Sequence, residues 1–290
     1  MKTATEARSG KGAKDENFPV ASLLIDRKRR GPILAFYRFV RAADDVADHP
    51  GLRPEEKLEL LDGLEAALLG RRTDPEAEPL RIALVERGLS PKHALELLDA
   101  FRLDARKNRY ADLDELMDYC RLSAMPVGRF VLDAHGEARS LWPASDALCA
   151  ALQIINHLQD CAQDYRKLDR VYLPQTLLDA HGANVEMLDA SRASPALRGA
   201  LVDLTRHAER LIEHGATLVP QIVNFRLSLE IAAIEALARR LVGRLKRRDP
   251  LSQSVHLRKL EFATTGGLAV AGRLARALID APRERGRARA

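Results

Sequence analysis

Gly31 to His49 reads GPILAFYRFVRAADDVADH. Ile33, Leu34, Phe36, Phe39, Val40, Ala43, Val46 and Ala47 spread apolar surface around most of a helical circumference, which predicts a helix buried on nearly every side. Tyr37, Arg41, Asp44, Asp45 and Asp48 interrupt that surface at i, i+4, i+7, i+8 and i+11, so they share one narrow stripe. Carboxylates left without partners in such surroundings cost on the order of several kcal/mol each, so the stripe must meet water or a cation. Two aspartates a turn apart suit Mg²⁺, a hard ion that takes one or two carboxylates, keeps several waters and leaves positions for phosphate oxygens.

The pattern recurs far along the chain in Ser145 to Arg166, SDALCAALQIINHLQDCAQDYR. Gln153, Asn156, Asp160 and Asp164 lie at i, i+3, i+7 and i+11, while Leu148, Ala151, Ile155, Leu158 and Ala162 occupy other faces. A solvated outer face explains either stripe alone. It explains the pair less well, because aspartate is a poor interior helix former and appears twice within apolar surroundings. Facing one another across a cavity, the stripes would form a cage for several metal ions. Lys167, Arg170 and Tyr172 follow the second stripe and Arg41 belongs to the first. Guanidinium groups pair bidentately with phosphate and take up the charge of a departing diphosphate, although Arg170 could instead cap the end of its helix.

Outward from these segments, aliphatic residues and alanine supply most of the apolar fraction, aromatics make up 4%, and β-branched residues rarely alternate. The expectation is an all-α protein of about eight to ten helices in one domain. The helices should break at Gly31-Pro32, His49 to Pro54, Gly70 to Pro79, Gly88 to Pro91, Asn108 to Asp112, Gly136 to Pro143, Lys167 to Pro174 and Asp249 to Ser252. Pro32 and Pro91 read as first-turn prolines, and Ser90 and Ser145 as N-caps. Residues 1–16 read as a disordered leader, 17–281 as the folded domain and 282–290 as a basic disordered tail.

Lysine and arginine number 46 against 41 aspartates and glutamates, with arginines crowded at 27–30, 239–248 and 283–289. No base-reading motif accompanies them, so nucleic acid is not an expected partner, whereas the 239–248 cluster could rest on anionic lipid. Cys120, Cys149 and Cys161 lack metal-ligand spacing and read as small core residues in a reducing, cytoplasmic setting, with peripheral contact at the inner membrane surface. No run of about 18 apolar residues predicts a membrane-spanning helix. No glycine-rich dinucleotide fingerprint follows a strand, so no nicotinamide cofactor is expected. Oligomeric state is left open.

DDVAD at 44–48, preceded by AFYRFVRAA, resembles the first acidic motif of the squalene and phytoene synthase family, and NHLQDCAQD at 156–164, followed by RVYLP at 170–174, is similar to its second. The resemblance runs from about Asn17 to Ala281 and implies the isoprenoid synthase fold, a helical domain around a central apolar cavity capped by two acidic motifs and two or three Mg²⁺ ions. Position by position it implies metal binding at Asp44, Asp48, Asn156, Asp160 and Asp164, with Asp45 a neighbour that joins them. Arg41, Lys167, Arg170 and Tyr172 would hold or sense diphosphate. Phe18, Tyr37, Tyr119 and Gln153 would line the substrate pocket. ENFPVAS at 16–22, YCRLSAMPVGR at 119–129 and KLEFATTGGLAVAG at 259–272 are similar to the bacterial hopanoid-pathway branch that makes hydroxysqualene. That branch implies loss of diphosphate from presqualene diphosphate and capture of the cation by water, a lyase reaction. The alternatives are a head-to-head prenyl transferase making presqualene diphosphate, squalene or a phytoene-type product, and a non-catalytic helical protein that binds lipid or nucleic acid.

Overall fold

The computed structural model describes residue 4 and residues 24–287. The helices in order are α1 (Arg27–Ala47), α2 (Pro54–Leu68), α3 (Glu78–Arg87), α4 (Lys92–Asp104), α5 (Leu113–Ser123), α6 (Met125–His135), α7 (Trp142–Leu168), α8 (Gln175–Ala180), α9 (Pro195–Gly215), α10 (Phe225–Leu245) and α11 (Lys259–Arg287). No strand occurs among the described residues, as the composition predicts. Side chains of Asp26, Asp112, Ser194 and Asn224 accept from backbone N–H groups in the first turns of α1, α5, α9 and α10, satisfying donors that a helix start leaves open. Gly88 and Gly136 end α3 and α6 at φ of 61° and 73°, where a side chain would be strained.

Four boundaries differ from the expected ones. Gly31-Pro32 is no break, because α1 begins at Arg27 and passes through it. Pro32 has no N–H for the Lys28 carbonyl one turn back, and the guanidinium of Arg87 at the end of α3 donates to that oxygen instead, at 2.8 Å. Ser145 is no N-cap, because α7 starts at Trp142 with Pro143 in its first turn, which leaves Ser145 buried inside the helix. Pro91 is itself the N-cap of α4 and lies just outside its first turn, so Ser90 is one residue before the cap, although its Oγ accepts from the Lys92 N–H at 3.2 Å. Helix α11 reaches Arg287, so helical backbone covers most of the stretch read as a disordered tail, consistent with the helix propensity of its alanines and arginines. Apart from residue 4, the leader lies outside the described residues.

Helix α7 forms the centre. Ala150, Ala151, Ile154, Ile155 and Leu158 are fully buried on it, and α6, α9 and α10 pack around it. One part of the core joins α7 to α5, α9 and α10, a second joins α1 to α2, α3, α4 and α6, where Phe36 stacks on Phe130 with ring centroids 3.9 Å apart, and a third joins α6 and α7 to α10 through Leu132, Leu148, Leu227 and Ile231. Residues of these parts wall a cavity of about 410 Å³ between α1, α5, α6, α7 and α10. Cys120 and Cys161 are buried core residues, as expected, whereas Cys149 is only partly buried and faces this cavity.

The α7–α9 contact needs Gly215. A Cβ there would sit 3.0 Å from Leu148 Cβ and 3.2 Å from the Leu148 backbone nitrogen, and backbone cannot turn away as a side chain can. Gly215→Ala should therefore destabilise the protein by roughly 1–3 kcal/mol, read as a lower midpoint in thermal unfolding followed by circular dichroism.

Candidate active site

Both stripes reach the same cavity. Tyr37, Arg41 and Asp44 from α1 line it together with Gln153 and Asn156 from α7, and Tyr119 joins them from α5. The remaining walls are chiefly apolar, among them Ile33, Phe36, Val127 and Leu152.

On α1, Arg41 holds two carboxylates, with Nη1 2.9 Å from Asp44 and Nη2 3.1 Å from Asp45. The two aspartates differ sharply in setting. The Asp44 side chain is 31% exposed and lines the cavity, whereas that of Asp45 is 1% exposed and does not. Asp45 is thus a buried counter-ion to Arg41. Asp48 is the C-cap of α1 and accepts from Arg170 Nη1 at 2.5 Å, while Arg170 Nη2 donates to the Ala47 carbonyl at 3.0 Å. Lys57 from α2 donates to the same carbonyl at 2.7 Å, a cation near the site that sequence reading missed.

Arg170 reaches this position because of the residue before it. Asp169 ends α7 at φ 51°, a left-handed conformation that aspartate tolerates better than most residues, and it is held there by Asn108 and Arg109. The chain then runs back along 108–111, with Val171 N–H on Asn108 O and Gln175 N–H on Tyr110 O, both at 2.9 Å. Arg170 is therefore a buried clasp between α7 and α1: its backbone N–H closes α7 on the Asp164 carbonyl at 3.2 Å while its side chain closes α1. Lys167, one turn earlier, is exposed and forms no hydrogen bond or ion pair among the described residues. Phe18 lies outside the described residues.

Beneath the mouth is a polar layer that the motifs did not reveal. Asp104, the last residue of α4, is buried and accepts from Tyr119 Oη at 2.9 Å and from Tyr172 Oη at 3.1 Å. Burial pushes its carboxyl up to about 6, against the pull of Arg170 and the two phenols. Its signal in the sequence was a carboxylate on the apolar stripe Leu97, Ala100, Phe101 and Asp104. His157 stacks on Tyr172, with centroids 3.5 Å apart. Burial and the nearby charge of Arg170 push the His157 imidazole down to about 3, so it is neutral, and its Nε2 accepts from the Gln153 amide at 3.1 Å. His256, from the segment between α10 and α11, lies 3.5 Å from Asp160 and is raised by that contact.

The carboxylates are crowded. Burial, then Asp48, pushes Asp44 up to about 8 despite Arg41, and burial, then Asp160 and Asp48, pushes Asp164 up to about 7. Arg170 joins the two stripes, its guanidinium on Asp48 at the end of α1 and its backbone N–H on the Asp164 carbonyl of α7. Among the described residues no three His, Cys, Asp or Glu side chains gather as a ready-made metal shell. A divalent ion fits the donors all the same: carboxylates short of cations are what Mg²⁺ relieves, and it needs only one or two of them besides water and phosphate oxygens.

The sign of the pH dependence follows. A carboxyl whose folded value is raised adds stability at low pH and loses it as pH rises through that value, here between about 4 and 8 for Asp44. Asp44→Asn should therefore raise the metal-free midpoint by roughly 2–6 °C at pH 8.5, and by less at pH 5.5. The same variant should lose stabilisation by Mg²⁺, which in the native protein should grow with pH. Differential scanning fluorimetry across pH, with and without Mg²⁺, checks both.

Comparison with known proteins follows the geometry closely. A family model described as squalene/phytoene synthase matches residues 12–261. The chain is 55% identical over 277 residues to a hydroxysqualene synthase of Rhodopseudomonas palustris, covering 95% of each chain, and 46% identical to one of Zymomonas mobilis, covering 92% of this chain and 91% of that one. Among solved structures, it is similar to squalene synthase HpnC from Alicyclobacillus acidocaldarius at 31% identity and a TM-score of 0.71, covering 79% of this chain and 87% of that chain. A dehydrosqualene synthase solved with a ligand shares the fold at 20% identity and a TM-score of 0.79, covering 90% and 93%. With a family model matched over most of its length and the isoprenoid synthase fold around a cavity lined by residues of both stripes, the chain belongs to the squalene/phytoene synthase family.

Proposed function

We propose that this enzyme ionises presqualene diphosphate and directs the resulting carbocation to hydroxysqualene. The observation that carries the reading is one apolar cavity lined by Asp44 of the α1 stripe and by Gln153 and Asn156 of the α7 stripe, in a chain 55% identical to a protein named hydroxysqualene synthase. Asp44, Asp48, Asn156, Asp160 and Asp164 would hold Mg²⁺, which when bound supplies positive charge to a diphosphate. Arg41 and Arg170 are the chain's own cations at that place, already aimed by Asp45 and by Asp48 with Ala47. They share the negative charge that accumulates as the carbon–oxygen bond breaks. The hydrocarbon lies among Phe36, Val40 and Leu152, where water is excluded and the cation survives long enough to rearrange. The faces of Tyr37 and Tyr119 stabilise it by cation–π attraction. Neutral His157, fixed between Gln153 and Tyr172, cannot repel that cation.

Purified protein with Mg²⁺ and presqualene diphosphate should yield hydroxysqualene, and Asp48→Asn and Asp160→Asn should each cut turnover by roughly a hundredfold or more while circular dichroism stays native. Turnover of farnesyl diphosphate alone, with none of presqualene diphosphate, would assign the chain to the condensing head-to-head enzymes instead.

No helix among the described residues is long and apolar enough to cross a membrane. A C30 hydrocarbon product nonetheless belongs in a bilayer, and α11 exposes Leu260, next in sequence to Glu261 of a concavity lined by Arg239, Arg240, Arg244, Arg247 and Arg248, and Leu268, Leu278 and Ile279 farther along the same helix. Apolar side chains next to a cationic surface complement an anionic bilayer, so this face makes the peripheral contact. Flotation with vesicles containing about 30% anionic lipid should carry the protein upward at low salt and release it as salt rises. Protein left wholly in the soluble fraction would remove the membrane contact from this reading.

A further inference from the structure

Only one end of the Gln153 amide is engaged by the protein. Its nitrogen donates to Nε2 of His157, one turn on along α7, at 3.1 Å. An amide nitrogen has no lone pair to offer, so the ring nitrogen is the acceptor and the His157 proton sits on Nδ1. The ring is itself held by its face. It stacks on Tyr172 with centroids 3.5 Å apart and planes 13° from parallel, and Tyr172 is anchored on Asp104 at 3.1 Å. An amide is planar, so a nitrogen tied to a fixed ring also fixes the direction of the carbonyl oxygen.

That oxygen has no partner in the protein, because the bond to His157 is the one hydrogen bond of the Gln153 side chain among the described residues. It is open to water all the same, whereas the Ser123 hydroxyl and both amide atoms of Gln159 are sealed. The space it opens on is the apolar cavity, which Gln153 lines one turn before Asn156. Tyr119 and Ser145 on the same wall are engaged with Asp104 and Cys149. A carbonyl oxygen held in such a place needs a donor. The substrate has none to give, since presqualene diphosphate is hydrocarbon apart from a diphosphate whose oxygens accept. Of the two reactants, only water carries an O–H.

We propose that His157 is a positioning residue for the step that ends the reaction: by holding the Gln153 amide nitrogen it turns the Gln153 carbonyl oxygen into the cavity, where that oxygen accepts a hydrogen bond from the attacking water. The inference rests on the hydroxysqualene reading. Donating one proton to Gln153 Oε1, the water keeps its lone pairs directed away from the wall and toward the carbocation. One lone pair forms the new carbon–oxygen bond. The oxonium so formed passes its other proton to the diphosphate released in the first step, and the alcohol keeps the O–H that faces Gln153. Gln153 and His157 neither gain nor lose a proton. With the amide free to turn, the water is not held, the cation loses a proton from a neighbouring carbon to the same diphosphate, and the product is a C30 alkene.

The test is the ratio of alcohol to alkene made from presqualene diphosphate with Mg²⁺, measured by gas chromatography and mass spectrometry. A ratio counts products per turnover, so a merely structural role that slows ionisation does not move it. Gln153→Leu, which removes the oxygen, should lower the ratio by roughly tenfold or more. His157→Phe, which keeps a ring against Tyr172 but removes the acceptor, should lower it in the same direction. His157→Gln, whose amide oxygen can take the place of Nε2, should stay within about threefold of the native ratio. The double variant His157→Phe with Gln153→Leu should be no worse than Gln153→Leu alone, because His157 acts only through Gln153. A native ratio in Gln153→Leu or in His157→Phe would overturn the proposal, as would a glutamine variant that behaves as phenylalanine does or a double variant below both single ones. A raised Mg²⁺ requirement in Gln153→Leu with an unchanged ratio would place the oxygen on the metal and overturn it too. A native enzyme that releases diphosphate and makes no alcohol would overturn the functional reading itself, an outcome distinct from alcohol formation that the variants leave unaltered.

Discussion

Arg170 ties together two helices that lie 122 residues apart in sequence at its contact with Asp48. Its guanidinium takes the Asp48 carboxylate with one arm and the Ala47 carbonyl with the other, closing the end of α1 against the segment that leaves α7. That end of a helix already carries partial negative charge from its open carbonyls, so aspartates there are electrostatically unfavourable. Arg41, Lys57 and Arg170 offset part of this repulsion, yet burial first and the neighbouring carboxylates second still hold Asp44 and Asp164 above the usual carboxylate range. Carboxylates so placed attract a divalent cation and, through it, a diphosphate.

A second layer holds that mouth in shape. Asp104 is a carboxylate placed in the core, and two tyrosine hydroxyls bind it. The bonds fix the rings of Tyr119 and Tyr172, and Tyr172 in turn supports His157 face to face. Burial raises both phenols well above their ordinary range, so they stay protonated and keep donating to Asp104. The layer thus separates a charged rim from a greasy interior, and the two parts carry opposite demands. Breaking a carbon–oxygen bond to diphosphate requires concentrated positive charge, whereas the carbocation left behind requires neutral, polarisable walls and little water.

The helical period made much of this legible in the sequence. Which side chains share a face follows from 3.6 residues per turn, so the stripes at Tyr37, Arg41 and Asp44 and at Gln153 and Asn156 could be drawn before any packing was known. The same rule gave the all-α class and most helix breaks. It failed at Pro32, because the partner that makes a mid-helix proline tolerable, Arg87, comes from another helix.

The sequence by itself therefore determined the helices, their polar stripes and the family of chemistry, since all of these depend on neighbours within a few turns or on motifs read in order. Only the tertiary structure decided which charges meet. The Arg170 clasp, the pairing of Asp104 with Tyr119 and Tyr172, and the approach of His256 to Asp160 all depend on contacts between segments remote in the chain. Periodicity places a side chain around its own helix axis; where that axis lies against the others is set by close packing of the core, to which dozens of side chains contribute at once.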